Sequence, residues 1–315
     1  MPEISVIIPS YNRAEFLGRA VASVQAQNFK DIEILIVDDG SKDTTLEVVA
    51  NLEQDEPRIR LVQHPKNRGE AAARNTGLRE ARGRFIAFLD SDDSWMEGKL
   101  HRQHAALEEA DDDVAAIVTG YIAVAQDGAQ SYVDAWHFHH KISVRNLLVR
   151  GCAIGLGGCM LIRREAALAA GPFDETLPLY VDVDWFCRFL DKHQMISINE
   201  PYTIYYKAPL RDGASVEIAA KAFLEKNRPL IERFPRSERR LILGQLHENA
   251  AVSYKANGNR IGFLRSLIKS LIANPRRQIP VYVELFEAAF GLNVREPLAR
   301  ILERRPGQCS KDRMS

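Results

Sequence analysis

An apolar run, Phe85-Ile86-Ala87-Phe88-Leu89, ends in Asp90-Ser91-Asp92-Asp93, which sets three carboxylates within four residues. A buried strand that delivers these acids to its exit gathers negative charge where water is scarce, and that repulsion persists only if a cation offsets it. The chemistry this suggests is a seat for a divalent metal. Hard oxygen ligands favour magnesium or manganese over zinc. The plainer reading is an acidic turn, because Asp and Ser are ordinary turn residues. What tips the balance is that other strand-like runs of the N-terminal half also end in polar groups: Ile4 to Ile8 before Pro9-Ser10-Tyr11-Asn12, and Ile32 to Val37 before Asp38-Asp39-Gly40-Ser41.

Helical patterns separate these runs. Asn12 and Glu15 have the spacing of an N-cap and its reciprocal partner, and Phe16, Leu17, Ala20, Val21 and Val24 share one helical face. Leu46, Val48, Val49 and Leu52 mark a second helix, Arg58 to Val62 a third strand, Gly69 to Arg82 an Ala-rich helix, and Arg84 to Leu89 the fourth strand. Apolar strands alternating with amphipathic helices imply a mostly parallel, Rossmann-like sheet flanked by helices, an α/β fold. In such sheets ligands sit beyond the carboxyl ends of the strands. Tyr11, Asp38, Asp39, Asp90 and Asp92 therefore cluster as a consequence of topology.

After Asp93 the expected elements are a helix from Glu97 to Glu109, one or two strands over Val114 to Val124, and an aromatic, His-rich stretch from Ser131 to His140. A Gly-rich loop from Gly151 to Gly158 follows, then a strand from Cys159, a helix stopped by Gly171-Pro172, a helix from Asp182 to Lys192 with Trp185, Phe186 and Phe189 inward, and further strand from Met195 to Tyr206. From Ala214 the pattern is helical. The expectation is one α/β domain over residues 1–213 and a helical region over 214–315.

Composition excludes several classes of function. With 46% apolar and 27% charged residues and 42 acids balancing 42 bases, nothing calls for a nucleic-acid partner. The four cysteines show no C-x-x-C pair, which argues against a disulfide framework or structural zinc. The N-terminus lacks a basic n-region and meets Pro9 too early for a signal peptide, and no run nears the roughly 18 apolar residues of a membrane span. The expected location is cytoplasmic, with the inner face of the cell membrane left open.

Taken together, Ser5-Val6-Ile7-Ile8-Pro9-Ser10-Tyr11-Asn12, Ile36-Val37-Asp38-Asp39-Gly40-Ser41, Asn67-Arg68-Gly69 with Ala73-Arg74-Asn75, Leu89-Asp90-Ser91-Asp92-Asp93, and Gly171-Pro172-Phe173-Asp174-Glu175 with Asp182 resemble the family 2 glycosyltransferases of the GT-A fold. The resemblance covers about residues 4–207, with five motifs in order. It implies an inverting transfer of one sugar from a nucleotide diphosphate donor to a glycan or lipid-linked acceptor. Pro9, Tyr11, Asn12, Asp38, Asp39, Arg68, Arg74, Asp90 and Ser91 are the implied nucleotide-sugar residues, Asp92 the implied metal ligand for Mn2+ or Mg2+, and Asp182 the implied base.

The residue types suit those roles. Tyr11 offers a face on which a pyrimidine stacks. Asp39 can accept the imide N–H of uracil or thymine, which favours UDP or dTDP donors. Arg68 and Arg74 near a helix start suit a diphosphate. Asp182 opens a helix, with N-cap as its plainer role and Asp184 as runner-up base. Two departures from the family pattern stand out: Val181 replaces the usual Glu, and Lys207-Ala208-Pro209-Leu210 carries no His. They motivate a rival reading, a non-catalytic nucleotide-sugar binding or scaffold protein. A nucleotidyltransferase is disfavoured because Ser10-Tyr11-Asn12 stands where its Gly-rich loop would be.

Other features read more plainly. His101 and His104, and His137, His139 and His140 near Trp136, are expected to pack, not to bind metal. Ile261, Phe263, Leu264, Leu267, Ile268, Leu271 and Ile272 form a stripe flanked by Arg260, Arg265, Lys269, Arg276 and Arg277. A helix packed on its neighbours is expected, with peripheral membrane contact or a homodimer as sharper alternatives.

Overall fold

The computed structural model describes residues 1–133, 141–150 and 156–274. The expected His-rich cluster at 137–140, the start of the Gly-rich loop and everything beyond 274 lie outside these residues. The elements run β1 (Ile4–Ser10), α1 (Ala14–Gln25), β2 (Ile32–Asp38), α2 (Thr45–Asp55), β3 (Ile59–Gln63), α3 (Glu70–Glu80), β4 (Phe85–Phe88), β5 (Ser94–Trp95), α4 (Lys99–Glu109), β6 (Val114–Val124) and β7 (Gln130–Val133). They continue α5 (Val144–Arg150), α6 (Leu156–Cys159), β8 (Met160–Arg163), α7 (Arg164–Ala169), α8 (Val181–Leu190), β9 (Gln194–Tyr206), α9 (Gly213–Lys226), α10 (Arg228–Ile231), α11 (Arg236–Ala256) and α12 (Arg260–Ala273).

One sheet runs through the described residues in the order β3-β2-β1-β4-β8-β6-β9-β5, with β7 paired to β6. Its first half is parallel, as alternating strands and helices predict. Beyond β4 the sheet is mixed, since β8 runs antiparallel to both β4 and β6 and β5 runs antiparallel to β9, while β6 and β9 are parallel. The chain builds β1, β2 and β3 in one direction and then returns to the other side of β1 with β4. That reversal is a switch point in strand order, where a crevice opens beyond the carboxyl ends.

Both faces of the parallel half are covered, which explains why β1 and β2 are apolar runs without alternation. On one face Leu17, Ala20, Val21 and Val24 of α1 and Leu100 and Leu107 of α4 pack on Val6, Ile8, Ile34, Ile36 and Ala87. Burying each such aliphatic side chain contributes about 1.5–3 kcal/mol. On the other face α3 lies close enough to β1 that a Cβ on Gly77 would come within 2.3 Å of Ile7 Cγ2. At the sheet's β3 edge, Arg60 pairs with Glu80 at 3.0 Å and with Glu33 at 3.4 Å.

Trp185, Phe186 and Phe189 of α8 are fully buried, as their spacing predicts. The helix expected from Gly69 spans Glu70–Glu80, and the strand expected from Cys159 begins one residue later, after the short α6. Two compact units emerge: Met1–Pro209 with Ala219–Arg233, and a second whose described parts are Leu210–Ile218 and residues 234–274. In the second, Ala251, Tyr254, Phe263 and Leu267 form a small core. The α12 stripe is thus split, because Phe263 and Leu267 are buried while Ile261, Leu264, Ile268 and Ile272 are exposed.

Candidate functional site

Pro9 and Ser10 are buried at the end of β1, and Tyr11 emerges at the rim, 38% exposed. Asn12 does not cap α1 as its spacing with Glu15 suggested. The residue at the N-cap position is Arg13, and Asn12 adopts φ +52, with its Oδ1 accepting from Lys42 N at 2.8 Å and its own N–H donating to Ser41 Oγ at 2.9 Å. The first donors of α1 are met from the β2–α2 loop instead, with Arg13 N on Thr45 Oγ1 at 3.0 Å and Ala14 N on Asp43 Oδ2 at 3.3 Å. Two loops laced together outbid a local capping box, and they hold Tyr11 beside the end of β2.

Asp38 and Asp39 are both buried. Asp38 accepts from Ser41 N at 3.1 Å, which makes it the organiser of its own turn. Asp39 accepts from Arg68 N at 2.9 Å, Gly69 N at 2.7 Å and His64 Nδ1 at 2.7 Å. Its carboxylate therefore occupies the start of α3, where the sequence suggested a diphosphate could dock. Gly69 sits there with φ +95, a backbone conformation unfavourable to any residue with a Cβ. Arg68 reaches away to Glu175 Oε2 at 3.1 Å. His64 was not singled out in the sequence, because one His just past a strand carries no pattern; only its place three residues before Asn67-Arg68-Gly69 hinted at it.

The acidic turn lies on the other side of the switch point. Arg74 of α3, buried, donates to Asp90 Oδ1 at 2.9 Å and also pairs with Glu70. Burial pushes Asp90 up to about 6; Arg74 opposes this, while Glu70 and Asp92 add to it. Asp93 is 2% exposed, accepts from Tyr206 N at 3.0 Å, and is pushed to about 8 by burial and then by Asp90. Ser91 is buried between them. Asp92 remains partly open to solvent, with Arg13 3.5 Å from its Oδ2, and Arg19 donates to its backbone carbonyl. Burial, more than mutual repulsion, holds the pKa values of Asp90 and Asp93 up.

Gly157 walls the Asp90 side: a Cβ there would fall 1.7 Å from Asp90 Oδ2. Gly158 O behind it accepts from Trp95 Nε1 at 2.8 Å and Thr203 Oγ1 at 2.9 Å, which pins the short α6.

Asp182 stands in the first turn of α8, one residue inside its start, after Tyr180 with φ +60. It is not the N-cap; its Oδ1 accepts from the adjacent Val183 N at 2.8 Å. Burial raises its pKa above the ordinary carboxylate value, with Arg74 opposing, so the helix start does not dominate as expected from sequence. Arg74 thus acts electrostatically on both Asp90 and Asp182. Asp184 faces the opposite way, fully buried, bound by Asn227 Nδ2 at 3.0 Å, Lys226 at 2.9 Å and Arg188 at 3.1 Å. It anchors α8. The preceding loop is tied to α3 through Asn75, which donates to Phe173 O at 2.9 Å and Glu175 Oε1 at 3.0 Å.

Among the described residues no group of three or more His, Cys, Asp or Glu is arranged as a metal cluster. His101 and His104 pack on Phe29, and His104 Nε2 lies 3.1 Å from Glu3, in line with the packing expected of them. No described helix is long and apolar enough to cross a membrane.

A layered α/β unit with a crevice at its switch point is the form of a ligand-binding α/β fold. The family model described as glycosyl transferase family 2 matches residues 5–169, over half of the chain, so the chain belongs to that family. A Campylobacter jejuni GalNAc(5)-diNAcBac-PP-undecaprenol beta-1,3-glucosyltransferase is 44% identical over 101 residues, 32% of this chain and 33% of that protein. The chain spans between a third and a half of the length of the first curated relatives it matches. Among solved structures, Staphylococcus aureus TarS 1-349 in complex with UDP-GlcNAc matches with a TM-score of 0.58 and 17% identity, over 86% of this chain and 91% of that one. The mannosyltransferase PcManGT of Pyrobaculum calidifontis, in complex with GDP-Man and Mn2+, gives 0.57 and 17%, over 96% and 83%. The fold is GT-A.

Proposed function

We propose that this glycosyltransferase is metal-dependent and inverting, and that it moves one sugar from a UDP- or dTDP-linked donor to a hydroxyl of a glycan or lipid-linked acceptor. What supports this reading is that Tyr11 and Asp39 follow β1 and β2, Asp90 and Asp92 follow β4, and Arg74 of α3 acts electrostatically on both Asp90 and Asp182. Tyr11 stacks the base at the rim. Asp38, Asp39, Asn12 and Pro9 shape the base and ribose seat, and Asp90 with Ser91 supports the ribose. Arg74 and Arg68 supply positive charge for the diphosphate.

The donor set suits a hard divalent cation, since Asp92 offers an accessible carboxylate next to Asp90 on the same turn. Asp92 would hold Mn2+ or Mg2+, with Asp90 beside it, and the ion would supply Lewis-acid stabilisation of the leaving diphosphate. Asp182 takes the proton of the acceptor hydroxyl as it attacks from the face opposite the diphosphate, which inverts the anomeric centre. Its raised pKa suits a base, because a stronger base accepts the proton more readily. The relative that acts on an undecaprenol-diphosphate-linked glycan supports a lipid-linked acceptor and action near the cytoplasmic face of a membrane. The unit of residues 1–209 and 219–233 carries donor and base, and the described helices of the second unit are accessory.

A thermal-shift comparison tests this. UDP with manganese should raise the melting temperature, as about 2.7 kcal/mol of stabilisation follows at a hundredfold excess over Kd. The shift should vanish in Asp92→Ala. Metal-independent stabilisation would remove Asp92 from the metal site. The rival, a non-catalytic binding protein, is favoured by Val181; it prevails if both wild type and Asp182→Asn bind UDP and neither turns over any donor.

A further inference from the structure

Asp182 is bracketed by two residues that a distant part of the chain holds. Just ahead of it, Tyr180 carries φ +60, a left-handed backbone that few side chains adopt, and its carbonyl accepts the first N–H of α8, from Asp184 at 2.9 Å. The Tyr180 ring lies against Phe223, with ring centres 5.6 Å apart. Just after Asp182, the fully buried Asp184 accepts from Lys226 Nζ at 2.9 Å and from Asn227 Nδ2 at 3.0 Å. Lys226 also pairs with Asp174, on the loop that leads into α8. Phe223 and Lys226 stand at the end of α9 and Asn227 follows directly, and all three lie in the Ala219–Arg233 stretch of the first unit.

A buried carboxylate needs a charged partner, and Arg188 of the same helix already gives Asp184 one at 3.1 Å. What Lys226 and Asn227 add is a tie between the first turn of α8 and a segment 42 and 43 residues further along the chain. Successive side chains of a helix point about 100° apart, so residues two apart face nearly opposite ways. A grip on Asp184 therefore holds α8 from behind and leaves Asp182 on the side where Arg74 acts on it. We propose that the end of α9, through Phe223, Lys226 and Asn227, positions the base: it fixes the turn from Tyr180 to Asp184 and so sets where the Asp182 carboxylate meets the acceptor hydroxyl.

This inference rests on the reading of Asp182 as the base, and the experiment separates the two. Lys226→Met keeps the stem and removes the tie, Lys226→Arg restores a donor, and Asp182→Asn with and without Lys226→Met closes a double-mutant cycle. For each, kcat and donor KM come from UDP or dTDP release by the nucleotide sugar that the wild type turns over, and UDP affinity with manganese present comes from calorimetry. Lys226→Met should lower kcat about ten- to a hundredfold, the scale of a reacting group misplaced by about 1 Å. Donor KM and the UDP Kd should stay within about twofold, since no donor contact is lost. Lys226→Arg should recover most of kcat. In the Asp182→Asn background Lys226→Met should cost nothing further, because a residue that acts through Asp182 has nothing left to place. If Lys226→Met does not fold, Phe223→Leu, which keeps apolar bulk and removes the ring beside Tyr180, should lower kcat in the same sense. Wild-type kcat in the folded variants, a UDP Kd that rises as much as kcat falls, or a full further loss in the Asp182→Asn background overturns the role of α9 and leaves the base reading standing. An Asp182→Asn protein as active as wild type, or a wild type that turns over no nucleotide sugar, overturns both.

Discussion

At the scale of single residues the site is a set of acids whose protonation is set by burial. Asp182 shows this most directly, because burial raises its pKa while Arg74 and then the Val183 N–H pull against it. A base works when deprotonated, so turnover should fall as pH drops through the value of Asp182, and the acid limb of kcat/KM should lie above the roughly pH 4 of an ordinary Asp. Asp182→Asn should lower kcat by roughly 10²–10⁴-fold and abolish that limb. An acid limb that survives the substitution would assign it to another group. In the sequence Asp90 and Asp92 stand where an apolar run stops and Asp182 where a helical spacing begins. The environments that tune them were not legible there, since Arg74 and Gly157 meet Asp90 from elements 16 and 67 residues away in sequence. His64 was missed for the same reason: its contacts with Asp39 and Thr76 are ones that no local pattern encodes.

At the scale of elements, short pieces fix the site and long ones carry the pattern. The buried strands β1, β2 and β4 and the helix α8 were readable from apolar runs and helical spacing. The two-residue β5 and the four-residue α6 were not, because nothing periodic fits in so few residues. Yet these two hold the wall of the pocket: Trp95 of β5 donates to Gly158 of α6, and Gly157 then lies against Asp90. Gly157→Ala should push Asp90 aside, at about 1–3 kcal/mol of overpacking, and should lower nucleotide affinity and activity while circular dichroism stays native. An alanine variant with full activity would show that the wall can retreat freely. Asn12 gives the complementary lesson, as a good local capping signal yielded to hydrogen bonds with a loop 30 residues away.

At the scale of the whole molecule, one interior charge makes stability depend on pH. Lys99 is fully buried, with Nζ 2.6 Å from Gln103 Oε1 and 4.2 Å from the centre of the Trp95 ring, and burial lowers it to about 7. The unfolded chain keeps its proton to about pH 10.4. Between those values the unfolded state binds more protons, so stability should rise with pH from about 7 upward, by at most about 5 kcal/mol at 1.36 kcal/mol per unit. Below pH 7 the full penalty of the buried ammonium is present. Urea unfolding at pH 6 and pH 9.5 checks this. Lys99→Met should be more stable than wild type at the lower pH, with the gap closing at the higher one. Equal gaps at both values would mean that Lys99 finds water or an anion inside.

Among the described residues the sheet ends on one side at β3, whose outer row of backbone N–H and C=O groups has no strand beyond it. Such a margin invites a neighbouring molecule to add its own strand and seed fibres. Arg60, lying across the strand with its guanidinium held by Glu33 and Glu80, sets a fixed charge on that margin. An incoming chain would have to dehydrate or break these pairs before it could zip on, which raises the barrier to edge-to-edge growth at β3.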